Sequence, residues 1–349
     1  MKLFLLFPMA AFLLLACKSK DVTTAPRQLP EASPDTGSKV IIAFGSCNKH
    51  DKVNVFWDDI LNTGPDIWIW GGDNIYADTE DIQKMAKMYT LQNEVEGYAA
   101  LRNKVFVTGT WDDHDYGVND GGVEFSAKRE SQQAFLDFMQ VDAQSPRRKQ
   151  EGVYTSHTLH RADGVIKIII LDTRYFRSPL TPGAKTNHRY RPNVDGKGTI
   201  LGDVQWAWLQ EELEGSGVDF HLIVTSIQFL SNQHGFEKWA NFPNEVKRME
   251  QVVSSSRAKG VIFLSGDRHI SEFSKAKIEN VPYPILDFTS SGLTHSYTNF
   301  KSEPNPFRVG KVVSAPSFGV VEIDMQKKEV HLKIMGENGT IYQEIKQGY

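Results

Sequence analysis

Cysteine is almost missing from this chain, with only Cys17 and Cys47 among 349 residues. That excludes a disulfide-stapled scaffold, so stability has to come from apolar burial. Positive charge is not in excess either. The formal net charge is −4, which argues against a nucleic-acid coat or a polybasic membrane patch. Internal repeats are lacking, and low-complexity sequence is confined to the region before Val40. What is present is an ordinary globular composition, 40% hydrophobic and 23% charged. Its length suits one large domain or two average ones.

The N-terminus is informative. Lys2 precedes an apolar run over residues 3–16, too short to span a bilayer as a helix but suited to a signal-peptide core. The run ends in Leu14-Leu15-Ala16-Cys17, similar to a bacterial lipoprotein box. Residues 1–16 are therefore expected to be a signal peptide and Cys17 the lipidated anchor of an exported, membrane-attached protein, on the periplasmic or extracellular face. A plain secretory signal with an incidental cysteine is the alternative. Residues 17–39, rich in Pro, Ser, Thr and charge, read as a flexible tether. Residues 40–349 remain as a single domain. With Cys17 acylated, Cys47 has no disulfide partner and is either buried and inert or bound to a metal.

From Val40 onward, short apolar runs alternate with helical patterns. Runs at 40–44, 66–70, 105–108, 165–171, 221–226 and 261–264 read as buried strands, and 53–61, 81–101, 124–139, a segment after Asp203 and 245–258 read as helices. This order suggests βαβ units and a parallel sheet, followed by antiparallel strands towards the C-terminus. A polar segment over 178–202 reads as a loop. In such sheets sites lie beyond the carboxyl ends of the strands.

Chemistry-bearing residues sit at those ends: Cys47; Asp73 with Tyr76; Asp112, Asp113, His114 and Asp115; Gln228; Asp267 with His269. Each has a bland reading, as core filler, turn residue or satisfied histidine. Jointly, every bland reading would require the same location by chance. Clustered carboxylates resist desolvation unless a cation neutralises them. Thiolate and phenolate suit a ferric ion, and carboxylates suit calcium, magnesium or manganese. A carboxylate such as Asp73 is able to bridge two ions, the arrangement used for displacement at phosphorus.

Gly45-Ser46-Cys47, Gly72-Asp73-Asn74-Ile75-Tyr76, Thr110-Trp111-Asp112-Asp113-His114-Asp115, Leu171-Asp172-Thr173-Arg174 and Gly266-Asp267-Arg268-His269, in this order, resemble the PhoD-like alkaline phosphatase D family. The resemblance extends to Gln205-Trp206-Ala207-Trp208-Leu209 and Glu237-Lys238-Trp239. It implies an α/β fold of the calcineurin-like metallophosphoesterase type, a four-layer α/β/β/α sandwich with mixed sheets. It also implies Fe3+ and Ca2+ as cofactors, with Mg2+, Mn2+ or Zn2+ as other candidates. Position by position, Cys47 resembles a thiolate ligand, Asp73 the bridging carboxylate and Tyr76 the phenolate ligand to iron. Asp112 and Asp113 fall among the metal ligands, Asp267 and His269 look like the last ligand pair, and Gln228 stands roughly where relatives have a histidine. His114 resembles the imidazole that meets the phosphate or leaving oxygen, with Asp113 beside it.

The implied activity is hydrolysis of phosphomonoesters or phosphodiesters by a metal-bound hydroxide. Lys185, His188 and Arg189 are candidates to steer the anion, and Arg174 either joins them or ties down a carboxylate. The expected partner is a small phosphate ester, with a phospholipid or nucleotide as alternatives and no nucleic-acid-binding surface evident. Phospholipase D-like activity and a non-catalytic phosphate- or glycan-binding surface lipoprotein are the rival readings. Family members often carry an N-terminal β-domain and a C-terminal helix that plugs the site. Neither is read here, so a more open site is expected.

Overall fold

A strand that reads as an unbroken apolar run has no polar face to offer water, so both of its faces have to be covered. The computed structural model, which describes residues 38–185, 188–193, 195–215 and 217–349, meets that demand with two stacked sheets between helical layers. Cys17 and most of the tether lie outside the described residues. The chain runs through β1 (Lys39–Gly45), α1 (Trp57–Asn62), β2 (Ile67–Gly71), α2 (Ile82–Glu94), α3 (Glu96–Lys104), β3 (Phe106–Thr110), a one-turn α4 (Asp113–Tyr116) and α5 (Lys128–Phe138). It continues through β4 (Thr155–Arg161), β5 (Gly164–Ile170), β6 (Thr181–Lys185), β7 (His188–Arg191), α6 (Gly202–Leu213), β8 (Phe220–Val224), α7 (Pro243–Ser256) and β9 (Val261–Ser265). Six strands complete it: β10 (Ser271–Ala276), β11 (Ile285–Ser290), β12 (Arg308–Val313), β13 (Phe318–Asp324), β14 (Glu329–Met335) and β15 (Ile341–Gly348).

One sheet has six strands in the order β15-β14-β13-β1-β2-β3, and the other has seven in the order β12-β10-β11-β9-β8-β5-β4. The expected parallel pairing holds for β1-β2-β3 and for β5-β8-β9-β11, while the other pairs in these sheets are antiparallel. Side chains alternate along each strand and so sort into layers. Ile42, Phe44, Ile67 and Ile69 meet Ile166, Ile168, Leu222 and Leu264 between the sheets. Ala43, Trp68 and Trp70 face outward into the layer of α2, α3 and α5. Ile169, Ile223 and Phe263 pack beneath α6 and α7. The result is the α/β/β/α sandwich.

Two expectations change. The helix over 81–101 is broken at Val95, whose backbone is non-helical (ψ 118°). The break lets Gly97 press on α1, where an added Cβ would come within 2.6 Å of the Trp57 Cβ. The segment 178–202 is not all loop, for β6 and β7 form a hairpin within it.

Candidate metal centre

The carboxyl ends of β1, β2, β3 and β9 meet where the two sheets abut. Cys47, Asp73, Asp267 and His269 each adopt positive φ, between 52° and 64°, a conformation non-glycine residues rarely take outside functional turns. Backbone bonds hold the turns together: Cys47 N–H donates to Gly72 O and Asn48 N–H to Asp73 O, at 3.3 and 2.8 Å. Gly266 permits the close approach of the second sheet, since a Cβ there would lie 2.6 Å from Ser46 Oγ and 2.8 Å from Gly71 O.

Three groups of ligand atoms result, each with its members within 4.8 Å of one another: Cys47, Asp73 and His269; Asp73, Asp113 and His114; Asp112, Asp113 and Asp267. Asp73 and Asp113 each belong to two groups. Cys47 Sγ lies 3.3 Å from Asp73 Oδ2. The Tyr76 hydroxyl lies 3.2 Å from that oxygen and 3.3 Å from His269 Nε2. Thiol, phenol, carboxylate and imidazole therefore converge on one point.

The protein alone does not balance this charge. Burial pushes the Cys47 thiol up to about 11. Burial, and then Cys47 and Asp113, hold Asp73 well above the carboxylate range, and burial raises Asp267 to about 7. Burial also raises Asp113, but Arg174 and His114 outweigh it and leave that carboxyl low. Asp112 Oδ2 is buried without a hydrogen-bond partner among the described residues. Oxygen, sulfur and nitrogen donors crowded together, under-supplied with cations and with one carboxylate oxygen orphaned, fit metal ions.

Neighbouring groups orient the ligands. Asp115 belongs to none of the three groups. It accepts from the backbone N–H groups of Asp112, Asp73 and Asn74 at 2.7, 3.2 and 3.2 Å, pinning two strand ends together. His114 stacks on Tyr76 with centroids 4.0 Å apart, and its Nδ1 lies 2.8 Å from both Asp78 carboxylate oxygens. Burial opposes protonation of His114, yet Asp73, Asp78 and Asp113 raise it to about 10.

Arg174 takes the second of its two expected roles. It is fully buried, ion-paired to Asp112 and to Glu237 Oε2 at 2.6 Å, so it ties down carboxylates and cannot clamp a substrate. Gln228 donates to Glu272 Oε1 and Thr289 Oγ1 at 2.9 and 2.8 Å, and it belongs to none of the three ligand groups. Arg189 acts at one remove. It pairs with Asp120 at 2.8 Å, whose backbone N–H donates to Asp113 Oδ2 at 2.6 Å. His188 is exposed on β7, and the Lys185 side chain lies outside what is described.

Three neighbours of the site were not anticipated. The His295 ring is 4.5 Å from that of His269 and 5.0 Å from that of Tyr76. Lys49 Nζ stands 4.9 Å from the Tyr76 ring centre. Asp78 holds His114. Their one signal was position: Lys49 follows β1, Asp78 follows β2, and His295 follows β11, which has no distinct strand signature.

A PhoD-like phosphatase family model matches residues 88–334. Alkaline phosphatase D of Bacillus subtilis (strain 168) is 21% identical over 69% of this chain, which spans about half of that protein, 48% of its length. A solved structure of PhoD superposes on 93% of this chain and 71% of its own, with a TM-score of 0.70 and 16% identity. A dimetal phosphatase from Danio rerio superposes on 89% of this chain and 99% of its own, at 0.57 and 11% identity. Both structures share the fold of two stacked sheets described above. With its model matching well over half of the residues, the chain belongs to the PhoD-like phosphatase family.

Proposed function

We propose that this protein hydrolyses phosphate esters, monoesters or diesters, at a centre of two or more metal ions. In this reading Cys47, Tyr76, Asp73 and His269 hold ferric iron, and Asp73, Asp112, Asp113 and Asp267 hold calcium or a similar divalent ion. The observation that carries it is the sharing of Asp73 and Asp113 between adjacent ligand groups, the pattern that closely spaced ions require. When bound, such ions offset charge on the phosphoryl oxygens and bring the pKa of water towards neutrality. The chain's own part is positional. Asp115 fixes the Asp73 and Asp112 backbones, and Arg174 fixes Asp112. With Nδ1 engaged by Asp78, a protonated His114 has its opposite N–H free to donate to a phosphate or leaving-group oxygen.

The test is hydrolysis of p-nitrophenyl phosphate and bis-p-nitrophenyl phosphate. Asp73→Ala is expected to lose roughly 10²–10³-fold or more in kcat with the fold intact, and retained turnover sinks the proposal. Iron bound by a phenolate gives a visible charge-transfer band. Tyr76→Phe should remove it, and a colourless active enzyme refutes iron while leaving the hydrolysis standing. The reading includes attachment to a membrane through lipidated Cys17, on an exported protein. Incorporation of labelled fatty acid that survives Cys17→Ser would refute that part.

A further inference from the structure

Beside the carboxylate cluster lies a cluster of the opposite sign. His234, Lys238 and Arg268 are 4%, 2% and 6% exposed. All three gather around Phe236: its N–H and its carbonyl are bonded by His234 and Lys238, and the Arg268 guanidinium carbon lies 4.3 Å from its ring centre. The His234 tautomer follows from its partner. Phe236 N–H donates to Nδ1 at 3.2 Å, so in the neutral ring Nδ1 is the acceptor and Nε2 carries the proton. Among the described residues that buried N–H has no acceptor, and neither has Arg268 Nε–H. Lys238 Nζ donates to Phe236 O at 3.0 Å, which leaves the other protons of its ammonium to be satisfied.

The charges do not balance. Arg268 pairs with Glu303 at 2.7 Å and Arg308 with Glu272 at 2.5 Å. Glu237, next to Lys238, is engaged by Arg174 and Arg177 at 2.6 and 2.9 Å. Lys238 is therefore a buried cation with no ion pair among the described residues, and burial lowers its pKa to about 8. Buried donors and a buried unmatched charge are both unfavourable unless something accepts from them.

The geometry points to an anion-binding site in which His234 Nε2–H, Arg268 Nε–H and the Lys238 ammonium bind a small tetrahedral oxyanion such as inorganic phosphate. Three donors on three side chains suit an ion with several acceptor oxygens better than a halide with one centre. Arg268 stands between Asp267 and His269 in the chain, so this site adjoins the metal centre and is built from different side chains. It does not depend on the catalytic reading.

Inorganic phosphate titrated calorimetrically into the full metal-loaded chain should reveal a site that survives Asp73→Asn. His234→Asn should weaken that site at least tenfold, because asparagine still accepts from Phe236 N–H but lacks the Nε2 donor. Lys238→Met should do the same and serves if His234→Asn fails to fold. In crystals grown with arsenate, an anomalous peak is expected within hydrogen-bond distance of His234 Nε2. Phosphate binding that Asp73→Asn abolishes and both other variants leave unmoved would overturn the site. So would an ordered water, with no anomalous signal, between the three donors.

Discussion

Two buried clusters meet at Asp112 and resolve the same difficulty in opposite ways. On one side, Arg174 and Arg177 face Asp112 and Glu237, two guanidinium groups against two carboxylates. On the other, Cys47, Asp73, Asp113 and Asp267 crowd together with acids in excess. Apart from Asp267, which is partly exposed, the members of both are buried, so burial alone does not distinguish them. Charge balance does. The balanced cluster carries its own counter-charges, whereas the unbalanced one calls for cations from solution. Asp112 marks the border, with Oδ1 on Arg174 and Ser226 and Oδ2 without a hydrogen-bond partner among the described residues.

The largest effect is expected from breaking the balanced side. Arg174→Met would strand Asp112 and Glu237 as unmatched buried charges, and removing one partner of such a network typically destabilises by about 3–5 kcal/mol. Adding Glu237→Gln should recover part of that loss, because the stranded charge rather than the missing contact is responsible. Denaturant melts of the single and double variants measure this. A single variant as stable as the parent would mean that the two clusters do not differ as described.

A smaller effect sharpens the contrast through pH. In metal-free protein the folded-state carboxyl of Asp267 sits near 7 and that of Asp73 is raised as well, above their unfolded values. Between about pH 4 and pH 7 the folded form then binds more protons than the unfolded chain, so stability falls as pH rises through that window. Metal-free protein should thus melt higher at pH 5 than at pH 8. Added divalent metal should reverse the order, since ligands bind in their deprotonated forms. Equal melting temperatures across the range in chelated protein would contradict an unbalanced cluster.

The unbalanced side was the more legible in sequence. Its residues follow continuous apolar runs, and a strand that must be buried on both faces places its end predictably. The balanced side was legible only in part: tying down a carboxylate was one expected role of Arg174, but its partner Glu237 lies 63 residues later, and no local pattern links them. The hairpin β6–β7 was read as loop for a related reason. Thr181-Pro182-Gly183-Ala184-Lys185 has no alternation, and Pro182 and Gly183 both disfavour strand. What secures the hairpin is tertiary: Tyr190 N–H donates to Gly235 O at 3.0 Å, and the Tyr190 hydroxyl to Asp120 at 2.8 Å. Gln228 stands at a strand end like the others, but its partners Glu272 and Thr289 come from β10 and β11, later in the chain.

The smallest effect belongs to Arg189, which joins Tyr190 in linking that hairpin to Asp120. The Arg189 side chain is half exposed, and its pairing with Asp120 is the kind of contact that contributes about 0–1 kcal/mol. Asp120 keeps the Tyr190 hydroxyl after Arg189→Ala, so its backbone N–H should still hold Asp113. The variant should therefore melt within about 1 kcal/mol of the parent and keep kcat. KM for an anionic substrate should rise modestly, and more at low ionic strength, where a rim cation steers best. A large fall in kcat would mean that Asp113 takes its position from Arg189, and that the unbalanced cluster leans on an external cation after all.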